Sequence, residues 1–289
     1  MALRIATRGS TLALTQAGIV AEMLGGAELV EVSSDGEPGD KARFVRAVEQ
    51  AVLNGEAEIG VHSAKDLPSE MPGELLIAGV PERQDPADAW IGPGSSLDDI
   101  PEGARVGTAS LRRRAQLLAA RPDLRVEELH GNVDTRLRKL AEGDLDGIVL
   151  AAAGLRRLGR EGEIGFAIPG DQMVPAAGQG VLVLQTRADD EAARLAAEAI
   201  SDEVTLVELA VERAVVRQLG ADCTSPVGVW ARNDGGEVTV DGFVGLADGS
   251  EWVRHREIGG AGLPVALAEL LTMRLEAAGA GEILQRAAA

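Results

Sequence analysis

The chain has 289 residues, room for about two domains or three small ones, and a hydrophobic fraction of 45% that supports sizeable cores. Its formal net charge of −18 argues against non-specific binding to nucleic acid or to an anionic membrane. With three Phe, three Trp and no Tyr, the cores are aliphatic and a base-stacking platform is excluded.

In chain order, Leu3–Thr7 predicts a strand, and Ser10 an N-cap for a helix running to about Leu24, stopped by Gly25-Gly26. That run contains Gln16 and Glu22 at helical spacing, unlike the apolar core of an export signal. No stretch approaches the ~20 apolar residues of a membrane span, so a soluble, unexported protein is expected. Leu29–Ser33 predicts a strand, Ala42–Asn54 a helix, and Glu58–Ser63 a strand that ends in His62-Ser-Ala-Lys-Asp-Leu-Pro68. After the Pro/Asp-rich stretch Pro81–Pro86, strands are expected at Ala89–Ile91, Arg105–Thr108, Arg125–Leu129 and Gly147–Leu150. Helices are expected at Leu111–Ala120, Thr135–Ala141 and Gly154–Leu158. Alternation of this kind predicts βαβ units with mainly parallel sheets, and a late apolar strand, Val181–Gln185, placed to rejoin the first sheet. Beyond it come a long helix, Val204–Leu219, and three strands of an antiparallel meander, Val227–Ala231, Glu237–Leu246 and Trp252–Ile258. Pro264 opens a last helix ending near Gly279, followed by an Ala-rich tail.

Ligands of α/β sheets bind beyond the carboxyl ends of the strands. Four motifs fall there: Thr7-Arg8-Gly9-Ser10, Lys65-Asp66, Gly107-Thr108-Ala109-Ser110-Leu111-Arg112-Arg113, and His130-Gly-Asn-Val-Asp-Thr-Arg136. A strand-to-helix turn offers backbone N–H groups to an anion, and arginines add bidentate donors. Between Val106 and Arg160 there are eleven basic and seven acidic side chains, a basic island in an acidic chain. Such an island faces either an anionic ligand or solvent through ordinary ion pairs. Asp66 among these cations reads either as a carboxylate that stabilises a developing positive charge or as an ion-pair partner of Lys65. Gln16 points to the same place or is exposed, and His62 reads as scaffold. Cys223, the single cysteine, lies in a turn-like stretch of Asp, Thr, Ser and Pro rather than in an apolar run, which favours a reachable nucleophile or attachment point over a buried thiol.

Taken together, Arg4-Ile-Ala-Thr-Arg-Gly-Ser10, Phe44-Val45, Val61-His-Ser-Ala-Lys-Asp-Leu-Pro68, Arg83-Gln-Asp-Pro-Ala-Asp-Ala89, Val106-Gly-Thr-Ala-Ser-Leu-Arg-Arg113, Gly131-Asn-Val-Asp-Thr-Arg136, Ala153-Gly-Leu-Arg-Arg-Leu-Gly159, Pro175-Ala-Ala-Gly-Gln-Gly180 and Cys223 with Pro226 and Gly228 resemble the hydroxymethylbilane synthase (porphobilinogen deaminase) family over almost the whole chain. The resemblance implies three α/β-type domains. Residues 1–80 with 181–198 and residues 86–174 resemble type II periplasmic binding proteins with mixed, mainly parallel sheets. Residues 203–289 form a small α+β domain with an antiparallel sheet. It also implies a dipyrromethane cofactor joined to Cys223 by a thioether, and head-to-tail condensation of four porphobilinogen molecules with loss of ammonia. Water then releases hydroxymethylbilane, and the enzyme is a cytoplasmic monomer without metal, nucleic acid or membrane.

By the same resemblance, Asp66 is the catalytic carboxylate. Lys65, Thr108, Ser110, Arg112, Arg113, His130 and Arg136 contact the cofactor, and Arg8, Ser10, Gln16, Lys41, Phe44 and Arg157 contact the substrate. The chain departs from the family pattern at His130, where arginine is usual, at Ala109, at Ala221-Asp222, and in a shortened segment Ser33–Asp40. A non-catalytic binder of a small polyanion, or an inactive relative of the same fold, are the alternative readings.

Overall fold

A computed structural model describes residues 3–33 and 41–288, with Lys41 to Phe44 described in their backbone only. The shortened 33–40 segment, apart from Ser33, and the side chains of Lys41 and Phe44 therefore lie outside the described residues.

The chain opens with β1 (Leu3–Arg8), α1 (Thr11–Met23), β2 (Ala27–Val32), α2 (Lys41–Leu53), β3 (Ile59–Ser63) and β4 (Leu75–Gly79). After a crossing at Pro81–Pro86 come β5 (Asp88–Ile91), β6 (Arg105–Gly107), α3 (Leu111–Ala120), β7 (Arg125–Glu127) and α4 (Val133–Ala141). These lead to β8 (Gly147–Ala151), α5 (Ala152–Arg157) and β9 (Phe166–Ile168). The chain returns through β10 (Leu182–Arg187) and α6 (Glu191–Glu198). It ends with α7 (Glu203–Gln218), β11 (Val227–Asp234), β12 (Glu237–Gly245), β13 (Trp252–Gly260), α8 (Pro264–Ala277) and α9 (Ala280–Ala287).

Two compact units result, Met1–Gln84 with Gly180–Leu206, and Asp85–Gln179 with Val207–Ala289. The first holds a sheet ordered β2-β1-β3-β10-β4, the second a sheet ordered β7-β6-β8-β5-β9 and the meander β11-β12-β13. In each five-stranded sheet one strand is antiparallel to its neighbours: β10 pairs antiparallel with β3 and β4, and β5 with β8 and β9. Each is the first strand laid down after the chain crosses over, and each enters between two strands of its sheet. The late strand thus rejoins the first sheet, as its apolar run predicted.

Strands buried on both faces need apolar side chains on both. In the first sheet Ile5, Ile59, Val61 and Leu184 pack on Ala17, Val20 and Ala21 of α1, while Ala6 faces Val48, Ala51 and Val52 of α2. In the second, Trp90, Val106, Val149 and Ile168 pack with Leu117 of α3, and Ile91, Ile148 and Leu150 with Leu137 of α4 and Leu155 of α5. The meander lays Val229, Ala231, Val238 and Val240 on α7 and α8.

Four elements escaped the sequence reading. β4 and β9 are short strands whose partners, β10 and β5, are distant in sequence, so no local pattern marks them. α6 follows β10 with Asp190 as its N-cap, accepting from the Ala193 N–H. The Ala-rich tail is the helix α9, which buries Ala280 and Ile283 in the last core.

Candidate active site

In the first unit the site grows from the carboxyl ends of two adjacent parallel strands, β1 and β3. Arg8 ends β1, and Ser10 caps α1, its Oγ accepting from the Ala13 N–H at 3.3 Å. β3 runs into one turn of 3₁₀ helix, Ala64–Asp66, which displays Lys65 and Asp66, both half-buried. Gln16 is buried on α1, and its Oε1 accepts from the Ser63 hydroxyl at 3.1 Å, directly before that turn. The alternative of an exposed Gln16 is thereby corrected: the residue ties α1 to the base of the Asp66 turn. His62 is buried, and its pKa is pushed down to about 4 by burial, against the Gln185 hydrogen bond and the Asp66 charge, with Arg8 adding to the lowering. Arg8 and Asp66 thus both act on one ring, which places the two charges of this half together.

In the second unit Thr108, Ser110, His130, Arg136 and Arg157 follow the ends of three neighbouring strands, β6, β7 and β8. Ser110 Oγ caps α3 by accepting from the Arg113 N–H at 3.4 Å, and Thr108 Oγ1 accepts from the Ser110 N–H at 3.2 Å. Asn132 caps α4, accepting from the Thr135 N–H at 2.9 Å. Gly131 before it has φ +124°, and a Cβ there would fall 2.8 Å from the Thr135 methyl, so only glycine allows this entry. Arg136 is half-buried in the first turn of α4. Arg157 ends α5, and burial pulls its pKa down to about 10, so it remains a cation at neutral pH. His130 is exposed beside Glu128, Nε2 to Oε2 3.2 Å.

Arg112 and Arg113 are buried, not solvated, and a residue to which the sequence reading gave no role organises them. Asp88, fully buried on β5, meets Arg112 Nη1 at 2.7 Å and Arg113 Nη2 at 2.8 Å, and accepts from Arg113 Nε and Gln179 Nε2 at 2.9 Å each. Burial pushes the Asp88 carboxyl up, but the two guanidiniums and the Gln179 amide outweigh it and hold the group far below the usual carboxylate range. Two cations against one anion leave the cluster at net +1, and Arg112 Nε is buried with no hydrogen-bond partner. A charge-assisted acceptor is the partner this N–H requires. These residues fit a carboxylate-bearing cofactor.

Val174 connects this cluster to the meander. Its carbonyl accepts from Arg112 Nη1 at 2.8 Å and Gln116 Nε2 at 3.0 Å, while its N–H donates to Gln116 Oε1 at 2.7 Å. The next carbonyl, Pro175, accepts from the Val229 N–H at 2.9 Å, and a Cβ on Gly228 would fall 2.7 Å from the Val174 oxygen. Just before, in the turn between α7 and β11, Cys223 is exposed. Asp222 Oδ1 builds that turn by accepting from the N–H and hydroxyl of both Thr224 and Ser225, at 2.7 to 3.0 Å. Asp222 thus supplies the turn with a side-chain acceptor, and neither Ala221 nor Asp222 takes a positive φ.

A separate cavity of about 380 Å³ is lined by Asp171, Asp241, Arg254, His255 and Arg256. Asp241 there pairs with Arg232, Arg254 and Arg256, and none of the predicted residues lies in it.

Comparison with known proteins places the chain in a family. Residues 3–195 match the family model of the porphobilinogen deaminase dipyromethane cofactor binding domain, and residues 206–277 that of the porphobilinogen deaminase C-terminal domain. The chain therefore belongs to the porphobilinogen deaminase family, enzymes of the transferase class in tetrapyrrole biosynthesis. It is similar to the porphobilinogen deaminase of Brevibacillus brevis, 40% identical with 97% of this chain and 96% of the relative covered. It is also similar to those of Syntrophus aciditrophicus, 42% identical (98% and 97% covered), and of a Roseiflexus species, 43% identical (91% and 92%). Among solved structures, a TRAP periplasmic solute binding protein from Ochrobactrum anthropi aligns with a TM-score of 0.44 at 13% identity, covering 75% of this chain and 77% of that one.

Proposed function

We propose that the protein condenses four porphobilinogen molecules head to tail on a dipyrromethane carried by Cys223 and releases hydroxymethylbilane by hydrolysis. The observation that carries this reading is the Asp88–Arg112–Arg113 cluster, a built anion site with one unanswered N–H, in the same unit as the exposed thiol of Cys223. Dipyrromethane, when bound, supplies a primer that accepts the first substrate unit.

Everything else falls to this chain's own residues. Arg112 and Arg113, with Thr108, Ser110, Lys65, His130 and Arg136, hold cofactor carboxylates. Arg8, Ser10, Gln16 and Arg157, with Lys41 and Phe44, hold the incoming porphobilinogen. When its C–N bond breaks and ammonia leaves, the pyrrole becomes a cation, and the ionised carboxylate of Asp66 stabilises it. A new C–C bond then forms to the growing chain, and the attacked carbon gives up a proton. Each step exchanges one C–N bond for one C–C bond and needs no oxidant.

The domain division expected from the sequence, 1–80 with 181–198, 86–174 and 203–289, belongs to this reading, as does a cytoplasmic monomer without nucleic-acid partners. A net charge of −18 and the absence, among the described residues, of any helix able to cross a membrane support that part. No finding favours a polyanion binder or an inactive relative.

Intact mass spectrometry tests the cofactor. The wild-type protein gains the mass of two linked pyrroles and makes hydroxymethylbilane, and Cys223→Ser does neither. An unmodified wild-type chain from cells that make porphobilinogen overturns the reading.

A further inference from the structure

We propose that the arginine-lined cavity on the β11-β12-β13 sheet is an anion site in its own right, which takes a small oxyanion, phosphate or carboxylate in kind, with two or more negative charges. It uses none of the residues assigned above to cofactor or substrate.

Strand pairing builds it. Asp241 of β12 stands opposite Trp230 of β11 and Arg256 of β13. Alternate residues of a strand share a face, so Arg232 and Arg254, each two positions from those partners, join Asp241 on one side of the sheet. Val229, Ala231, Val238 and Val240 take the other side, against α7 and α8. Trp230 packs with Ala115, Val174 and Phe243, and the Arg232 guanidinium lies over its ring at 3.8 Å. Arg254 is tied down by the Gly170 and Asp171 carbonyls, which accept from its Nη2 and Nη1. The donors are therefore in place before a ligand arrives.

Their shared anion is already full. Asp241 is buried, and its two carboxylate oxygens offer about four lone-pair positions. Oδ1 accepts from Arg256 Nε at 3.0 Å and Arg254 Nη2 at 3.2 Å; Oδ2 accepts from Arg232 Nη2 at 2.6 Å and Arg256 Nη2 at 3.1 Å. Burial pushes this carboxyl up, but the Arg232 and Arg256 bonds outweigh it and lower the group below the usual carboxylate range. Three guanidiniums against one carboxylate leave two positive charges, and one remains when the exposed Asp171 of the cavity lining is counted. Arg232 Nη1 is buried with no hydrogen-bond partner, and the half-exposed Arg256 has no ion pair besides Asp241 among the described residues. A cluster built for stability alone would match charge with charge. Here a third cation is set on a saturated anion, which adds like-charge repulsion that a further anion relieves. The cavity beside Arg254 and Arg256, about 380 Å³, has the size of a small-molecule site.

His255 is part of the lining and is one of three histidines, so histidine NMR of the cofactor-loaded, full-length enzyme reports on the site directly. The probes are pyrophosphate and citrate, each compared with sodium chloride at equal pH and ionic strength. A probe should shift the His255 signals saturably, with a Kd of about 1 mM or below, where sodium chloride does not. The His62 and His130 signals should not follow that curve. Arg256→Gln should weaken binding about tenfold, the scale of one lost charge-assisted contact, and Arg256→Lys, which keeps the charge without the fork, should fall between. Both variants should load cofactor and turn over within about twofold of wild type.

A response to pyrophosphate alone assigns phosphate chemistry, to citrate alone carboxylate chemistry, and to both a site for either; each supports the proposal. No saturable His255 shift with either probe up to about 10 mM overturns it. So does an Arg256→Gln protein, folded and active, that binds as tightly as wild type. A His255 response that porphobilinogen displaces puts the anion at the substrate arginines instead, and overturns the proposal as well.

Discussion

The two five-stranded sheets share one strand order, and in both a serine caps the helix that follows the equivalent strand, Ser10 after β1 and Ser110 after β6. The chemistry built on the shared frame is opposite. In the first sheet the equivalent turns carry Arg8, Lys65 and Asp66, and the Arg8 and Asp66 charges act on a buried His62. In the second, two arginines are drawn inward onto Asp88, and the remainder is one positive charge with a buried N–H to satisfy. On the proposed reading, one fold provides an anion for a cation that exists only during reaction and a cation for carboxylates that are always present. The second can be half-neutralised inside the protein and still bind.

The largest test of that contrast is Asp88→Asn. It leaves two adjacent buried guanidiniums facing an amide, and loss of one partner of a buried charge pair costs about 3–5 kcal/mol. Urea denaturation should show that loss at pH 7, with cofactor loading reduced in the intact mass. The pH dependence follows from the sign of the shift. The Asp88 pKa is lower in the folded state than in the unfolded chain, so its stabilisation is present above about pH 4 and fades as pH falls below that value. A variant as stable as wild type at pH 7 would make Asp88 incidental to the arginine cluster.

Asp66→Asn should show the complementary profile, an intact fold and a loaded cofactor with turnover reduced about 10²-fold or more, because only the transition state meets the missing charge. Turnover within a few-fold of wild type would take Asp66 out of catalysis and collapse the contrast between the two sheets.

His62 sharpens the comparison from the side of stability. Its folded pKa, about 4, lies below the usual 6.5, so the unfolded chain takes up a proton in this window that the folded chain refuses. The stabilisation is therefore complete above about pH 6.5 and declines on acidification, by about 2 kcal/mol at pH 5. Replacing the ring by a neutral amide, His62→Gln, should flatten that slope relative to wild type. Parallel slopes for the two proteins would show that the ring is protonated in the folded state as well.

What the sequence disclosed follows the range of each interaction. The caps Ser10 and Ser110 and the turn glycine Gly131 act on neighbours within four residues, and their motifs were readable directly. Asp88 was not: it lies between the Pro/Asp-rich stretch Pro81–Pro86 and the strand expected at Ala89–Ile91, and its arginines lie 24 and 25 positions away. The hydrogen bonds that join Glu49, Gln185 and His62 were hidden for the same reason, since they link residues 123 and 136 positions apart. β4 likewise acquires its identity only when β10 arrives from beyond the second sheet. Local physics marks where a ligand can bind, and distant pairing decides which charges are spent inside the protein and which are left for the ligand.

The smallest expected effect concerns His130, where the family usually has arginine. The residue is exposed and pairs with the exposed Glu128, a contact of the kind that contributes little in water. Around it the anion-binding frame is complete: Gly131 takes its positive φ, Asn132 caps α4, and Arg136 follows in the first helical turn. A guanidinium at position 130 is therefore compatible with the backbone and replaces one donor by another of fixed charge. His130→Arg should fold normally and change kcat/KM by less than about twofold at neutral pH. A guanidinium keeps a fixed charge whereas an imidazole does not, so the variant should also flatten any activity loss between about pH 6 and 8. Measuring kcat/KM against pH for both proteins decides the matter. An arginine variant that folds, loads its cofactor and is slow at every pH would show that the imidazole has its own role, and that position 130 is not simply one more donor in the basic half of the site.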